Sequence, residues 1–217
     1  VLKYVKRNKE IRSVILSTME VYGRTEASGQ SLNENDLGVL NPAIVRNSYP
    51  IAKLESENLA ISYVAEYGIQ VAILRLAQTF GPGVNKDDKR AFAEFAKLAV
   101  SGKDIILFSD GTSRNSYVSV NDVVSAIIIA LVKGRAGEIY NVANESTFCS
   151  VYQMADTALS LFAGKDNVVK FGVDEARANT FRTSSILRLD SSKIKLLGWY
   201  PKDSLEKMYR DMVQDWN

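Results

Sequence analysis

The sequence predicts an α/β protein organised around a parallel β-sheet. Apolar segments of strand length alternate along the chain with longer segments of helical pattern, and this alternation is typical of βαβ units. The segment Ile69–Leu76 is predominantly apolar, as a strand must be when helices cover both faces of its sheet. The chain has 217 residues, 46% of them hydrophobic, which is enough for one large domain or two small ones.

The amino-terminal elements follow from this pattern. A short polar helical stretch opens the chain, and Ser13–Ser17 is predicted to be a buried strand. Residues 24–47 are polar and rich in turn residues, and loops of this length are usually functional. A helix is predicted to start with Ser48 as its N-cap and to end at Gly68. The strand Ile69–Leu76 comes next.

The second half of the chain alternates short strands and helices in the same way. Asn121 and Asp122 are predicted to cap a buried helix that runs to Leu131, and Ser150 is predicted to cap another helix. The remaining predicted elements are a helix from Arg90 to Val100, strands at 104–108, 117–120 and 138–143, and a final helix from Ser204 to Trp216.

The bulk composition argues against two classes of partner. The 27 basic and 25 acidic residues give a net charge of +2, whereas nucleic-acid-binding proteins usually carry a strong basic excess. The longest apolar run, Val123–Val132, is too short for a membrane span of about 20 residues, and the chain does not open on a signal peptide. The single cysteine, Cys149, cannot form an internal disulfide, which favours a reducing cytoplasm.

The chain contains no histidine. This absence excludes Ser-His-Asp and Cys-His catalysis as well as histidine zinc sites, and a single cysteine excludes thiolate metal clusters. We therefore expect no metal site. In an enzyme of this composition, tyrosine, lysine, aspartate or glutamate must transfer the protons.

One tyrosine and one lysine are suited to that task. Tyr49 and Lys53 lie four residues apart at the start of a predicted helix, and hence on one face of it. An ammonium beside a phenol favours the phenolate, so the pair can move a proton on and off a sugar or alcohol hydroxyl. The same spacing is common on amphipathic helices, where it gives only a solvated surface.

Polar side chains also follow the first predicted strand, in Ser17–Gly23 (STMEVYG). Two hydroxyls and a carboxylate at the end of a buried strand do not help packing, but they suit a strand that delivers polar groups into a cleft.

Together these motifs resemble the extended short-chain dehydrogenase/reductase superfamily, and within it the NAD(P)-dependent nucleotide-sugar epimerases and dehydratases. The resemblance covers nearly the whole chain, with the motifs in order and at fitting spacing. The matching segments are STMEVYG at 17–23, Tyr49 with Lys53, RLAQTFGP at 75–82, DGTSRNSYVSVND at 110–122 and LGWYP at 197–201.

The resemblance implies the carboxyl-terminal part of a Rossmann-type parallel sheet with a smaller carboxyl-terminal α/β substrate lobe. Residues 1–83 would form the second half of the dinucleotide-binding domain. Residues 84–217 would form mainly the substrate lobe, with some strands and helices returning to the sheet. Family members begin with a strand, a G-x-x-G-x-x-G turn and a helix that hold the cofactor pyrophosphate, and this chain has no such fingerprint. We therefore expect a truncated fragment that binds NAD poorly and is inactive as given.

The resemblance also assigns roles to site residues. Tyr49 would be the acid/base, Lys53 would tune it and hold the nicotinamide ribose, and Thr18 would hydrogen-bond the reacting hydroxyl. Glu20 would be a second acid/base, as in dehydratases and uronic-acid decarboxylases, or a carboxylate that only bonds to nearby backbone. The cofactor would be NAD or NADP, with Ser17 and Leu76 also at its site.

The implied substrate is a nucleotide-diphosphate sugar, and the implied assembly is a homodimer through the helix that bears Tyr49 and Lys53. The residues assigned to the substrate are Thr18, Met19, Gln78, Arg114, Asn115 and Arg182.

Three departures from the family pattern limit the assignment. Met19 replaces the aspartic acid of dTDP-glucose dehydratases and cannot protonate a leaving hydroxyl. Gln78 replaces an asparagine, which keeps an amide but lengthens its reach. Counting back from Asp122 puts Asn115 at the position of the diphosphate-binding arginine, which leaves its neighbour Arg114 to serve through a local bulge.

Arg182 and Arg188 are further candidates for phosphate neutralisation, because guanidinium groups match phosphate geometry. For each arginine taken alone, a surface ion pair is the alternative.

Three functions remain open at this point. The leading expectation is a nucleotide-sugar epimerase or dehydratase that acts through a transient 4-keto sugar. The alternatives are an NADP-dependent carbonyl reductase of the same superfamily and a non-catalytic fragment that binds a sugar nucleotide or dimerises.

Overall fold

The computed structural model describes residues 1–24, 29–172 and 186–216, and it confirms the α/β class. The strands are β1 (Arg12–Thr18), β2 (Ser31–Leu32), β3 (Gln70–Leu76), β4 (Gln78–Phe80), β5 (Ile105–Leu107), β6 (Arg114–Ser119), β7 (Ile139–Val142), β8 (Asn144–Ser150), β9 (Val169–Phe171) and β10 (Ile186–Leu189). The helices are α1 (Leu2–Arg7), α2 (Ser48–Tyr67), α3 (Ala91–Val100), α4 (Val120–Lys133), α5 (Val151–Phe162), α6 (Ser192–Lys195) and α7 (Leu205–Gln214).

A parallel sheet of three strands, in the order β1-β3-β7, forms the first layer. Successive side chains of a strand point to opposite faces, and both faces of β3 are covered. Ala72 and Leu74 pack in a cluster with α4, whereas Val71 and Ile73 pack in another with Ala60 of α2. This double burial explains why the segment is so apolar.

A second sheet has the order β2-β10-β6-β4, and β8 pairs antiparallel with β6. The strands β5 and β9 pair with each other and form a separate two-stranded parallel sheet. A separate hydrophobic cluster, which includes side chains of α3, α5 and α7, gives this part of the molecule its own core. The strand β7 and the helix α4 follow residue 83 in the chain but pack in the first layer.

The helix caps differ in part from those predicted. Ser48 is the first residue of α2 rather than its N-cap, because the 3₁₀ turn that ends at Asn47 leads directly into the helix. The N-cap of α4 is Ser119, whose hydroxyl accepts a hydrogen bond from the backbone N–H of Asp122. Asp122 therefore lies inside the helix, and the predicted cap at 121–122 is wrong. Ser150 caps α5 as predicted.

A buried ion pair fastens α2 to the first sheet. Glu57 of α2 is 2% exposed and Arg75 of β3 is 1% exposed. The carboxylate of Glu57 accepts hydrogen bonds from Nε of Arg75 at 3.0 Å and from Nη2 at 2.7 Å. It also accepts one from the hydroxyl of Ser17 in β1. One carboxylate therefore holds a helix and two strands together.

The same guanidinium extends this network to the loop after β2. Nη1 of Arg75 donates to the carbonyl oxygen of Glu34 at 2.8 Å, and the side chain of Glu34 accepts from the backbone N–H of Asn141 at 2.7 Å. The hydroxyl of Tyr22 donates to Oδ1 of Asn141, also at 2.7 Å. Every strand of the first sheet is thus tied, directly or through the 3₁₀ turn after β1, to one polar network.

Removing the carboxylate from this network should be costly. The substitution Glu57→Gln leaves the guanidinium of Arg75 buried without its counter-charge, so we expect the free energy of unfolding to fall by about 3–5 kcal/mol. Urea unfolding followed by circular dichroism measures this loss. The matched control is Glu94→Gln, which neutralises a surface partner of Lys97 and should cost no more than about 1 kcal/mol. Equal losses in the two variants would contradict the role of Glu57.

Buried phenols should make the fold sensitive to strong base. Burial raises the pKa of Tyr22 to about 12, and burial also raises the pKa values of Tyr117 and Tyr209. In the unfolded chain these phenols ionise near pH 10. Stability is therefore unaffected below pH 10 and is lost above it, by about 1.4 kcal/mol per buried phenol per pH unit.

The variant Tyr209→Phe tests this expectation. Unfolding free energies are measured from pH 9 to pH 12. Above pH 10 they should fall less steeply in the variant than in wild type, by the contribution of one buried phenol, about 1.4 kcal/mol per pH unit. Tyr200→Phe, at an exposed phenol, is the control. A wild-type profile that stays flat above pH 10 would show that the phenols do not govern base unfolding.

Candidate active site

The carboxyl ends of β1 and β3 form one edge of the first sheet. Thr18, the last residue of β1, is in register with Leu76, the last residue of β3. The chain then turns into a 3₁₀ helix at Met19–Tyr22, and Oγ1 of Thr18 caps it by accepting the N–H of Glu20 at 3.3 Å. The polar segment after the first strand is therefore a strand end followed by a capped turn.

Tyr49 and Lys53 lie in the first two turns of α2, beside this edge. The ammonium of Lys53 donates a hydrogen bond to the carbonyl oxygen of Leu16 at 2.9 Å and lies 6.0 Å from the centroid of the Tyr49 ring. Tyr49 itself is 50% exposed. The two side chains thus share one helix face, and Lys53 anchors that face to β1.

The same helix face continues to Glu57, one turn beyond Lys53. Because Glu57 bonds to the hydroxyl of Ser17, the stripe of residues 49, 53 and 57 runs along the carboxyl end of β1. Sequence reasoning missed Glu57. The available signal was a carboxylate placed four residues after Lys53 on the same stripe.

Met19 and Glu20 have different surroundings. Met19 is 5% exposed and belongs to the apolar cluster beneath the sheet. Glu20 is half-buried, and within the described ranges its carboxylate has no hydrogen-bond or ion-pair partner. The predicted alternative, a carboxylate bonded to nearby backbone, therefore finds no such bond in the part of the chain that is described.

Gln78 and Asn115 lie further along the sheets. Gln78 opens β4, and its partner in β6 is Tyr117. Asn115 is paired with Cys149 of β8. Burial raises the pKa of the Cys149 thiol to about 11, so at neutral pH it is not a thiolate nucleophile.

Arg114 projects from the opposite face of β6. Its guanidinium carbon lies 4.7 Å from the centroid of the Phe148 ring. The pairing of β6 with β8 is irregular between Asn115 and Tyr117, but this irregularity follows Arg114 and leaves Arg114 and Asn115 on different faces. Arg182, also predicted to bind the substrate, lies outside the described residues.

A cavity of about 300 Å³ opens beside Arg114. Its lining residues are Gly29, Arg114, Glu145, Phe148, Ile186 and Arg188. Thr18, Tyr49 and Lys53 do not line it. The structure thus brings together Ser17, Thr18, Tyr49, Lys53 and Leu76 at one sheet edge, and it places Arg114 at a separate cavity.

The described residues contain no group of three or more aspartate, glutamate, cysteine or histidine side chains arranged to hold a metal ion. In the same ranges, none of the helices has both the length and the apolar character that a membrane span requires.

Known proteins resemble the chain in sequence and in fold. It is 30% identical over 207 residues to UDP-glucuronic acid decarboxylase 6 of Arabidopsis thaliana, and the match covers 94% of the chain and 57% of that protein. The dTDP-glucose 4,6-dehydratase of Bacillus anthracis, solved in complex with NAD, superposes with a TM-score of 0.80 at 25% identity, over 99% of the chain and 64% of that structure.

The UDP-glucose 4-epimerase of Thermotoga maritima, solved with UDP-glucose, also gives a TM-score of 0.80 at 25% identity, over 99% of the chain and 66% of that structure. The chain therefore spans less than two thirds of the length of each of these three proteins. The model of the NAD dependent epimerase/dehydratase family matches residues 1–143. The chain belongs to the NAD dependent epimerase/dehydratase family.

Proposed function

We propose that this chain carries the acid–base residues of an NAD- or NADP-dependent nucleotide-sugar epimerase or dehydratase that acts through a transient 4-keto sugar. The observation that supports it most directly is the placement of Lys53 beside Tyr49, at the edge where β1 ends in Thr18.

The proposal places residues 1–83 in the dinucleotide-binding domain and residues 84–217 mainly in a substrate lobe. A cytoplasmic location is consistent with the single buried thiol.

Tyr49 is the proposed general base for the sugar 4-hydroxyl. Its phenolate accepts the hydroxyl proton, and the C4–H bond breaks as a hydride leaves, so that the 4-keto sugar forms. The ammonium of Lys53, 6.0 Å from the ring centroid, favours the phenolate electrostatically. The cofactor, when bound, supplies the hydride acceptor.

Thr18 is suited to orient the reacting hydroxyl. Its Oγ1 already accepts the N–H of Glu20, so its own O–H proton remains available for a substrate oxygen. Because Thr18 ends a strand whose position is fixed by pairing with β3, this donor is held on a rigid element, as precise orientation requires.

The residues at this edge fit the nicotinamide end of the cofactor. Lys53 offers donors at the end of a parallel strand, and ligands of open α/β sheets bind outside the carboxyl ends of the strands. We propose that Ser17 and Leu76 complete this side of the site, where Ser17 is held by Glu57.

Glu20 is the proposed second acid/base, at the carbon next to C4. Its carboxylate is half-buried and lacks a partner in the described ranges, so it is free to exchange a proton with a substrate. Dehydration, decarboxylation and epimerisation at the carbon next to C4 require such a step after the 4-keto group has formed, whereas epimerisation at C4 itself does not.

We propose that the nucleotide-diphosphate sugar extends from Thr18 and Met19 past Gln78 toward Asn115, with Arg182 or Arg114 as the arginine for the diphosphate. The pairing of β4 with β6 supports this path, because it places Gln78, two residues after the end of β3, beside Tyr117, two residues after Asn115.

Tyr49→Phe tests the acid–base assignment. Loss of the general base should lower kcat by about 10²–10⁴-fold with little change in KM, since the ring is retained. Formation of 4-keto sugar is measured with UDP-, CDP-, GDP- and dTDP-sugars and NAD or NADP. The reading frame is extended upstream where the chain alone gives no turnover.

The matched control is Tyr152→Phe, at another partly exposed phenol, which should keep wild-type kcat. Full activity in Tyr49→Phe would end the proposed proton role. Glu20→Gln distinguishes the two acid–base groups, because it should preserve 4-keto formation and block only the step that follows.

We also propose a homodimer through α2. Leu59 is 50% exposed on this helix, on the side away from the buried Glu57 and Ala60. Leu59→Glu should shift the mass measured by light scattering from twice the chain mass to the 24.0 kDa of one chain. Leu196→Glu, at an exposed leucine elsewhere, should remain dimeric. A wild-type mass of one chain would overturn this part of the proposal.

A further inference from the structure

The loop that follows β4 is bonded to two residues just after α7. The backbone N–H of Gly83 donates to Oδ2 of Asp215 at 2.7 Å, and Nε1 of Trp216 donates to the carbonyl oxygen of Val84 at 2.8 Å. Val84 and Trp216 also pack against the hydrophobic cluster that includes side chains of α3, α5 and α7. Two adjacent residues after α7 thus hold two adjacent residues of the loop.

The position of this loop is not fixed by its own sequence. Gly81 and Gly83 have φ angles of +144° and +85°, and glycine adopts positive and negative φ with similar ease. A bond from the N–H of Val84 to the carbonyl oxygen of Gly81, at 3.3 Å, closes the turn on itself but does not attach it to the rest of the fold. The conformation of residues 81–84 therefore depends on partners outside the loop.

Asp215 stands where a helix disfavours a carboxylate. It is the C-cap of α7, at the negative end of the helix dipole, where another negative charge is destabilising. The carboxylate of Asp211, one turn earlier, is compensated by Lys207, whereas Asp215 forms no ion pair within the described residues. Helix stability does not explain an aspartate at this position, but the bond to Gly83 does.

The loop also lies at the carboxyl end of a parallel strand. β4 runs parallel to β6, and its last residue, Phe80, pairs with Ser119. Ligands of open α/β sheets bind outside the carboxyl ends of the strands. The loop begins three residues after Gln78, which the proposed function places on the path of the nucleotide sugar. The conformation of the loop therefore affects the shape of that path.

We propose that Asp215 and Trp216 are positioning residues for the nucleotide sugar, because they hold the loop after β4 in the conformation that accepts it. Each acts through the backbone of the loop, and neither needs to touch the ligand. Without these bonds the loop samples other conformations, and the apparent affinity falls in proportion to the fraction of molecules that remain competent to bind. The inference rests on the proposed function and adds to it a pair of residues 132 positions away from the loop in the chain.

Amide hydrogen exchange tests the contact directly. Asp215→Ala should speed exchange at the amide of Gly83 by about tenfold or more, as expected when a hydrogen bond to a charged group is lost. Trp216→Phe keeps an aromatic ring in the cluster but removes the N–H donor, so it should cause a smaller increase in residues 83 and 84. Asp211→Ala, on the same helix, is the matched control and should leave exchange in the loop unchanged. Equal exchange in wild type and Asp215→Ala would overturn the proposal.

Kinetics separates positioning from a purely structural contact. In the assay with UDP-, CDP-, GDP- and dTDP-sugars, Asp215→Ala and Trp216→Phe should each raise KM by about fivefold or more. They should leave kcat at the wild-type value, because the bound complex is the same once it has formed. The dissociation constants of the same sugars, measured by calorimetry, take the place of KM where turnover is absent. Melting curves confirm that the variants are folded.

The outcomes distinguish this inference from the proposed function. Sugar binding with the same KM or dissociation constant in wild type and both variants would overturn only the positioning role. A wild type that neither turns over nor binds any of the four sugars would overturn the proposed function and the positioning role together. Tyr49→Phe should lower kcat without changing exchange in the loop, so failure of the acid–base assignment is seen separately.

Discussion

A single buried carboxylate, that of Glu57, determines how α2 lies on the first sheet. It meets the guanidinium of Arg75 and the hydroxyl of Ser17 in a region closed to water. An uncompensated charge there would be costly, so the helix cannot slide or roll without breaking several charge-assisted bonds at once. Tyr49 and Lys53 are on the same helix, and their distance from Thr18 therefore depends on a contact one to two turns away.

Those parts of the fold that depend on local pattern could be predicted from the sequence. The apolar character of Ile69–Leu76 predicted a strand with two covered faces, and Ser150 predicted the start of α5. The cap of α4 was misplaced because Asn121, Asp122 and Ser119 all have capping side chains, and only the backbone geometry decides between them. The strand β8, NESTFCS, was not predicted, because its polar sequence owes its extended form to pairing with β6.

The candidate site, too, could be predicted only where it depends on local pattern. The spacing of Tyr49 and Lys53 placed them on one helix face, and the structure has both beside the end of β1. The contacts of Glu57 with Ser17 and of Arg188 with Phe148 join residues 40 positions apart, and no local pattern encodes such contacts. Arg114 and Asn115 are adjacent in sequence but face opposite sides of β6, so counting residues alone could not decide which of them faces a ligand.

The planar guanidinium group of Arg75 also sets the distance between α2 and the loop after β2. One edge meets the carboxylate of α2 and another donor reaches the carbonyl oxygen of Glu34 in the loop after β2, so the width of one guanidinium separates that loop from the helix. A lysine at position 75 would preserve the positive charge but present only a point donor on a flexible stem. The distance between the loop and the helix would then no longer be fixed, even though the charge balance of the interior remained the same.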